Sequence, residues 1–146
     1  MTFQQLADRF SLHPKRLFLL DGFGAIISAF LLGVVLVKLE SIFGVPIRVL
    51  YFLALLPIAF AIYDLYCFIR VKENIGLFLQ GIAYTNILYC CISLGLTFYH
   101  YKKITYLGWT YMLLEVFVVI TLANLEIRTA KLTWKKLIML AANKRL

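Results

Sequence analysis

The sequence predicts an all-α membrane protein, an antiparallel bundle of four transmembrane helices with short loops. Of its 146 residues, 63% are hydrophobic and only 15% are charged. The mean hydropathy is +0.89. A water-soluble domain of this length needs more polar surface, and four spans of about twenty residues each already use most of the chain. We therefore expect one membrane domain that covers residues 1–146, with an interfacial helix before the spans and a basic helical tail after them.

Four uninterrupted apolar runs predict the four spans. They cover residues 17–39, 46–69, 76–98 and 104–125. Each run is long enough to cross the hydrocarbon layer as a helix, and the short connections favour neighbouring spans that run antiparallel. We expect the first run to be a transmembrane helix rather than a cleaved signal peptide, because it is too long and Asp21 interrupts it.

The segment before the first span, residues 1–14, predicts a short amphipathic helix at the cytoplasmic interface. A Thr2-x-x-Gln5 pattern is typical of a capping box, and His13-Pro14 ends the helix. Its apolar residues recur at helical spacing and are Phe3, Leu6, Ala7 and Phe10. Such a helix anchors the N-terminus or covers the inner end of the bundle, and a gate over an internal cavity is the alternative.

The tail, residues 128–146, combines basic side chains with an imperfect apolar face. Trp134, Leu137, Ile138 and Ala141 share an arc of the expected helix, whereas Leu132 lies nearly opposite. Two arrangements remain open from this pattern. The tail extends the fourth helix into the cytoplasm, or it lies on the anionic surface of the membrane, with partner docking a further alternative.

The basic residues predict the orientation. Four of the 15 fall on one side, namely Lys38, Arg48, Lys102 and Lys103. The other eleven are Arg9, Lys15, Arg16, Arg70, Lys72, Arg128, Lys131, Lys135, Lys136, Lys144 and Arg145. The positive-inside rule then predicts a multi-pass protein of a bacterial cytoplasmic membrane with both termini in the cytoplasm. Anionic lipid headgroups are the expected partners of this charge, and no basic soluble face indicates a nucleic acid.

The histidines and cysteines do not form a recognisable reactive centre. Cys67, Cys90 and Cys91 include no CxxC pair, and His13 and His100 fall on opposite sides of the predicted membrane. We expect no disulfide, no metal ion, no cofactor and no catalytic constellation, and a role other than catalysis is favoured.

Three carboxyl groups inside the spans need an explanation. Asp21 and Asp64 lie near the predicted cytoplasmic boundary, and Glu115 lies near the midplane of its span. An ionisable residue inside a span costs on the order of 2.5 to 3.5 kcal/mol. All lysines and arginines fall in loops, tails or span ends, so none is placed to neutralise Glu115. This residue must be protonated, hydrogen-bonded within the bundle, exposed to a wet cavity or paired with an external cation.

Helical spacing predicts that these acids lie along one inward-facing polar track. The candidate ligand-binding or proton-binding residues are Glu115 and Asn86 at the midplane, Asp21, Asp64 and Glu126 near the cytoplasm, and Tyr84 together with Ser28 along the wall. The alternative is a set of interhelical hydrogen bonds, worth roughly 0.6 kcal/mol each, that fix the register of the helices.

Two backbone features bear on packing. Ala25, Ala29 and Gly33 form a row of small residues that permits close helix approach, either within the chain or between copies in a homo-oligomer. Pro57 removes a backbone donor from the second span and predicts a kink at mid-depth.

These observations favour a small membrane protein with an acidic intramembrane cavity that binds a proton, a cation or an amine-bearing small molecule, as a carrier or a sensor. The alternative is a non-catalytic subunit, whose buried acids pair with a partner protein's basic residue and serve assembly.

Overall fold

A computed structural model describes residues 3–143, and this part of the chain is all-helical, with 89% helix and no strands. Predictions made for Thr2, for the side chain of Phe3, and for Lys144 and Arg145 lie outside the described residues. We number the helices α1 to α6. They are α1 (Phe3–Leu12), α2 (Lys15–Leu36), α3 (Glu40–Phe43), α4 (Ile47–Arg70), α5 (Ile75–Tyr99) and α6 (Tyr106–Asn143).

Four of these helices, α2, α4, α5 and α6, are long and apolar enough to cross a membrane. The prediction of four such helices is confirmed, with ends that differ by a few residues from the apolar runs. The exception is α6, which continues for 38 residues, about 57 Å, to the end of the described chain. Of the two arrangements left open for the tail, the structure shows a continuous extension of the fourth helix.

The breaks between helices follow from local backbone chemistry. Pro14 and Pro46 stand immediately before α2 and α4, where the missing N–H of proline is tolerated. Gly44 ends α3 with φ of 71°, a left-handed conformation that a residue with a side chain adopts only at a cost. Thr105 ties this turn to the start of α6, because its backbone N–H donates to the Phe43 carbonyl at 3.1 Å.

The long helices associate as two pairs, α2 with α4 and α5 with α6, and the pairs meet each other less closely. In the first pair, a Cβ placed on Gly22 would lie 3.2 Å from Asp64 Cβ, and one on Gly33 would lie 3.3 Å from Ala54 Cβ. One end of the small-residue row therefore packs within the chain. The homo-oligomer remains a prediction. We call the boundary between the two pairs the seam.

Helix α1 packs on the extended part of α6. Ala7 is fully buried there, and Lys136 Nζ donates to Ser11 Oγ at 3.3 Å. Arg128 Nη1 donates to Gln4 Oε1 at 3.2 Å. The amphipathic helix thus covers one end of the long α6, whereas its position in a membrane interface remains a prediction.

The buried interior consists of two apolar clusters with a polar layer between them. One cluster contains Leu32, Leu53, Met112 and other residues towards the α3 end, and the second is centred on residues such as Phe18. Asp21, Asp64 and Asn86 each fall between members of the two clusters along their own helix, whereas Glu126 lies next to Leu125 of the second cluster. The outer surface is largely apolar, and residues such as Phe23, Leu55, Leu88 and Phe117 are exposed. In water such a surface would promote association, whereas in lipid it needs no cover.

Candidate functional site

Four polar side chains, one from each long helix, meet in the polar layer. We call Asp21, Asp64, Asn86 and Glu126 the acidic cluster. Asn86 Nδ2 donates to Asp21 Oδ2 at 3.0 Å and to Glu126 Oε2 at 3.4 Å. Asp21 also lies within hydrogen-bonding reach of the Asp64 and Glu126 carboxyls. Asp21 and Asp64 belong to one helix pair and Asn86 and Glu126 to the other, so the cluster joins the two pairs across the seam.

The acidic cluster is buried and under-supplied with donors. Asp64 is 1% exposed and Glu126 is 0% exposed. Within the described range, no amide, hydroxyl or basic group donates to either oxygen of Asp64 or to Glu126 Oε1, so a hydrogen bond between these carboxyls and Asp21 requires a proton on one of them. The sequence places no lysine or arginine in residues 17–37, 49–69, 73–101 or 104–127.

Among the described hydrogen bonds, the Asn86 amide is thus the one donor for the three carboxyl groups at the seam, and it reaches two of them, Asp21 and Glu126. Adjacent buried carboxylates repel each other strongly and lose their hydration, so the cluster needs further protons or a bound cation to be stable. The chemistry of these groups therefore suits the exchange of protons for a cationic ligand.

Glu115 forms a separate site nearer the start of α6. Tyr89 Oη donates to Glu115 Oε1 at 2.9 Å, the Ser28 hydroxyl lies within hydrogen-bonding reach of the same carboxyl, and Oε2 is buried. The whole residue is only 7% exposed. Eleven residues, about 16 Å along the helix, separate Glu115 from Glu126.

The predicted pairing of Asn86 with Glu115 is wrong. Both hydrogen bonds of the Asn86 amide go to the acidic cluster, and Tyr89, one turn further along α5, contacts Glu115 instead. The buried acids therefore form two sites rather than one continuous track. Tyr89 is not among the site residues predicted from the sequence, although it lies one turn from Asn86 on α5.

The expectation that Tyr84 lines the wall is also wrong, because its side chain is 63% exposed on the outer face of α5. Ser28 does lie on the inner face of α2, where it borders a crevice. Asp21, Asp64, Asn86 and Glu126 are all buried, and their assignment as ligand-binding or proton-binding groups remains a prediction.

A crevice of about 60 Å³ lies along the seam between the acidic cluster and Tyr89, the partner of Glu115. It is lined by Asp21 and Asn86 at one end, Ser28 and Tyr89 at the other, and apolar residues between, which are Gly24, Ala25, Pro57, Phe60, Val118, Val119 and Leu122. This volume admits a few water molecules or an ion of similar size. Pro57 lies where α4 borders the crevice. The kink expected at this residue stays a prediction.

Comparisons with protein-family models, with curated proteins and with solved structures give no match. The function is therefore argued from the geometry. Across residues 3–143, no group of three histidine, cysteine, aspartate or glutamate side chains is arranged to hold a metal ion. Of the cysteines, Cys67 and Cys90 are buried and Cys91 is exposed, and none of the three is in a disulfide.

Proposed function

We propose that this chain is a multi-pass membrane protein, with its four long helices antiparallel, that binds a proton or a small cation at the acidic cluster and exchanges one for the other. The length and apolar character of α2, α4, α5 and α6 support a membrane location. The contacts of Gly22 with Asp64 and of Gly33 with Ala54 support opposite directions for α2 and α4. A carrier or a sensor of protons or protonated amines fits this chemistry, since the described carboxyls are not arranged to hold a metal ion.

The observation that carries the proposal is the meeting of three buried carboxyls at the seam. A cluster needed only for packing would have each oxygen supplied with a donor, because an unsatisfied buried group costs about 1 to 3 kcal/mol. Instead, the side chain within hydrogen-bonding reach of Asp64 is another acid, Asp21, so a hydrogen bond between them requires a proton on one of the two carboxyls. A proton or a cation that enters the cluster supplies the missing positive charge, and its departure weakens the link between the two helix pairs.

The proposed ligand exchange is tested by measuring proton release. Purified protein in weakly buffered detergent solution, with a pH-sensitive dye, is titrated with methylammonium chloride, and sodium chloride is titrated in parallel. Because the cluster cannot hold an added cation and all of its protons, we expect about one proton to be released per methylammonium bound. A titration in which methylammonium binds without proton release would contradict exchange at this cluster.

Two variants locate the exchange. Asp64→Asn and Glu126→Gln keep the size of the side chain and remove one carboxyl, so each is expected to reduce the proton release at least threefold. Glu73→Gln is the matched control, because Glu73 is an exposed carboxyl between α4 and α5. Equal release from all three variants would show that the protons come from elsewhere in the protein.

The orientation, with both termini in the cytoplasm and the basic side facing anionic headgroups, belongs to the same proposal. Lys102→Cys and Lys136→Cys are made in a variant without the three native cysteines. A membrane-impermeant maleimide is expected to label position 102 on intact cells and to reach position 136 only after permeabilisation. The reverse pattern would invert the topology.

The alternative role, a subunit in which the acids pair with a basic residue of a partner's helix, has its own requirement. A stoichiometric membrane partner must co-purify with the chain and be lost on Glu115→Ala. Purification of a stable, single-component protein from its native membrane would count against it.

A further inference from the structure

A groove runs along the outside of the seam between α2 and α6. Its volume is about 270 Å³, and we call it the lateral groove. Its lining includes Gly24 and Val118 and is apolar apart from Ser28, Tyr111 and Glu115. It opens on the face that the proposed function places against lipid. The groove shares Gly24, Ser28, Val118 and Val119 with the crevice, so the two spaces are adjacent.

Glu115 gives this groove a chemical preference. Glu115 is only 7% exposed, and it lies in the wall of the groove. Tyr89 donates to Oε1 and the Ser28 hydroxyl lies within reach of the carboxyl, whereas the lining of the groove contains no basic residue. An apolar groove with a single acid and no positive charge to pair with it suits a ligand with an apolar body and one N–H-bearing cationic group.

We propose that the lateral groove binds an amphiphilic primary ammonium compound from the lipid phase, with its apolar body between α2 and α6 and its ammonium group on Glu115. The ammonium pairs with the Glu115 carboxylate, and Tyr89 keeps the carboxyl in position. If Glu115 carries a proton before binding, that proton leaves as the ammonium pairs with the carboxylate.

This inference rests on the proposed function for the membrane position of the chain, and it goes further by naming a ligand class, an entry route and a residue outside the acidic cluster. Its failure is distinguishable from failure of the proposed function. Proton release by methylammonium depends on Asp64 and Glu126, whereas occupation of the groove depends on Glu115 and Gly24.

The test uses dansylcadaverine, a primary amine with an apolar fluorophore, and the full-length protein in lipid nanodiscs. Binding is followed by the blue shift of the dansyl emission and is corrected with empty nanodiscs. We expect Glu115→Gln to weaken binding at least tenfold. N-acetyl dansylcadaverine lacks the charge, and its weaker binding is expected to be unaffected by the same substitution.

Gly24 offers a test of the entry route. A Cβ at Gly24 meets no atom within 4 Å, so Gly24→Leu can be accommodated while its side chain fills the mouth of the groove. It is expected to weaken dansylcadaverine binding at least tenfold. Gly95→Leu is the matched control, because Gly95 is also a helical glycine with open space around it but lies on α5, outside the groove. We expect that control to change affinity less than twofold.

Val118→Trp, at an exposed position of the same groove, replaces Gly24→Leu if the latter does not fold. Circular dichroism and size-exclusion chromatography establish folding for each variant. Unchanged affinity in Glu115→Gln would overturn the ammonium contact. Unchanged affinity in a folded groove-filling variant, or an equal loss in Gly95→Leu, would overturn the lateral groove as the binding site.

Discussion

The hydrogen bond from Tyr89 to Glu115 allows the cost of a buried acid to be measured with a minimal change. Tyr89→Phe removes the hydroxyl that donates to Oε1 at 2.9 Å and keeps the ring. The edge-to-face contact between that ring and Phe60, with centroids 6.1 Å apart, is retained. The substitution therefore isolates one hydrogen bond.

The expected magnitude follows from the state of Glu115 after the substitution. Hydrogen bonds between transmembrane helices average about 0.6 kcal/mol, with a maximum near 1.7 kcal/mol. A buried acceptor left without a donor costs about 1 to 3 kcal/mol. After the substitution, Ser28 is the remaining described side chain within hydrogen-bonding reach of this buried carboxyl, so much of this cost is expected. We expect the free energy of unfolding to fall by about 1.5 kcal/mol.

The assay is reversible unfolding in mixed micelles by titration with sodium dodecyl sulfate, followed by circular dichroism. Tyr111→Phe is the matched control. Its hydroxyl hydrogen-bonds to no described residue, and its edge-to-face contact with Phe43 survives the change. A loss below about 0.3 kcal/mol in Tyr89→Phe, or a loss equal to that of the control, would refute the reasoning.

Two further predictions concern the contact between the turn after α3 and the start of α6. Gly44→Ala is expected to destabilise the protein by more than about 1 kcal/mol, because φ at Gly44 is 71° and the new Cβ would overlap the backbone of the facing loop. Gly95→Ala is the control, and it should be neutral or stabilising because Gly95 has open space around it. Thr105→Ala removes the hydroxyl that accepts from Gly108 N at 3.2 Å, at an expected cost of about 1 kcal/mol. Thr110→Ala, on the exposed face of α6, is its control. The same unfolding titration measures all four variants, and losses no larger than those of the controls would contradict the assigned roles.

The sequence was sufficient to predict the helices and the burial of the acids, because both depend on properties local to one segment. An apolar run of about twenty residues indicates a span, and spacing along α6 places Glu115 and Glu126 on one face. The hydrogen-bond partners of the buried acids were harder to predict, since they depend on how far one helix is shifted along its neighbour. Asn86 and Tyr89 lie one turn apart, and a shift of this size decides which of them meets Glu115. The close approach of α5 to α6 at Gly76, where an added Cβ would lie 3.2 Å from the Ala130 carbonyl oxygen, helps to set this shift, and no single-helix pattern contains that information.

The separation of the two acidic sites predicts how their effects combine. Glu115 and Glu126 lie about 16 Å apart and have different hydrogen-bond partners, so the losses of stability from Glu115→Gln and Glu126→Gln should add to within about 0.5 kcal/mol. Asp64→Asn and Glu126→Gln should depart from additivity by more than that, because both side chains interact with Asp21. The free energies of unfolding of the single and double variants test both expectations. If the distant pair departs from additivity as strongly as the close pair, the crevice between the sites couples them, and they must be treated as one buried acidic system.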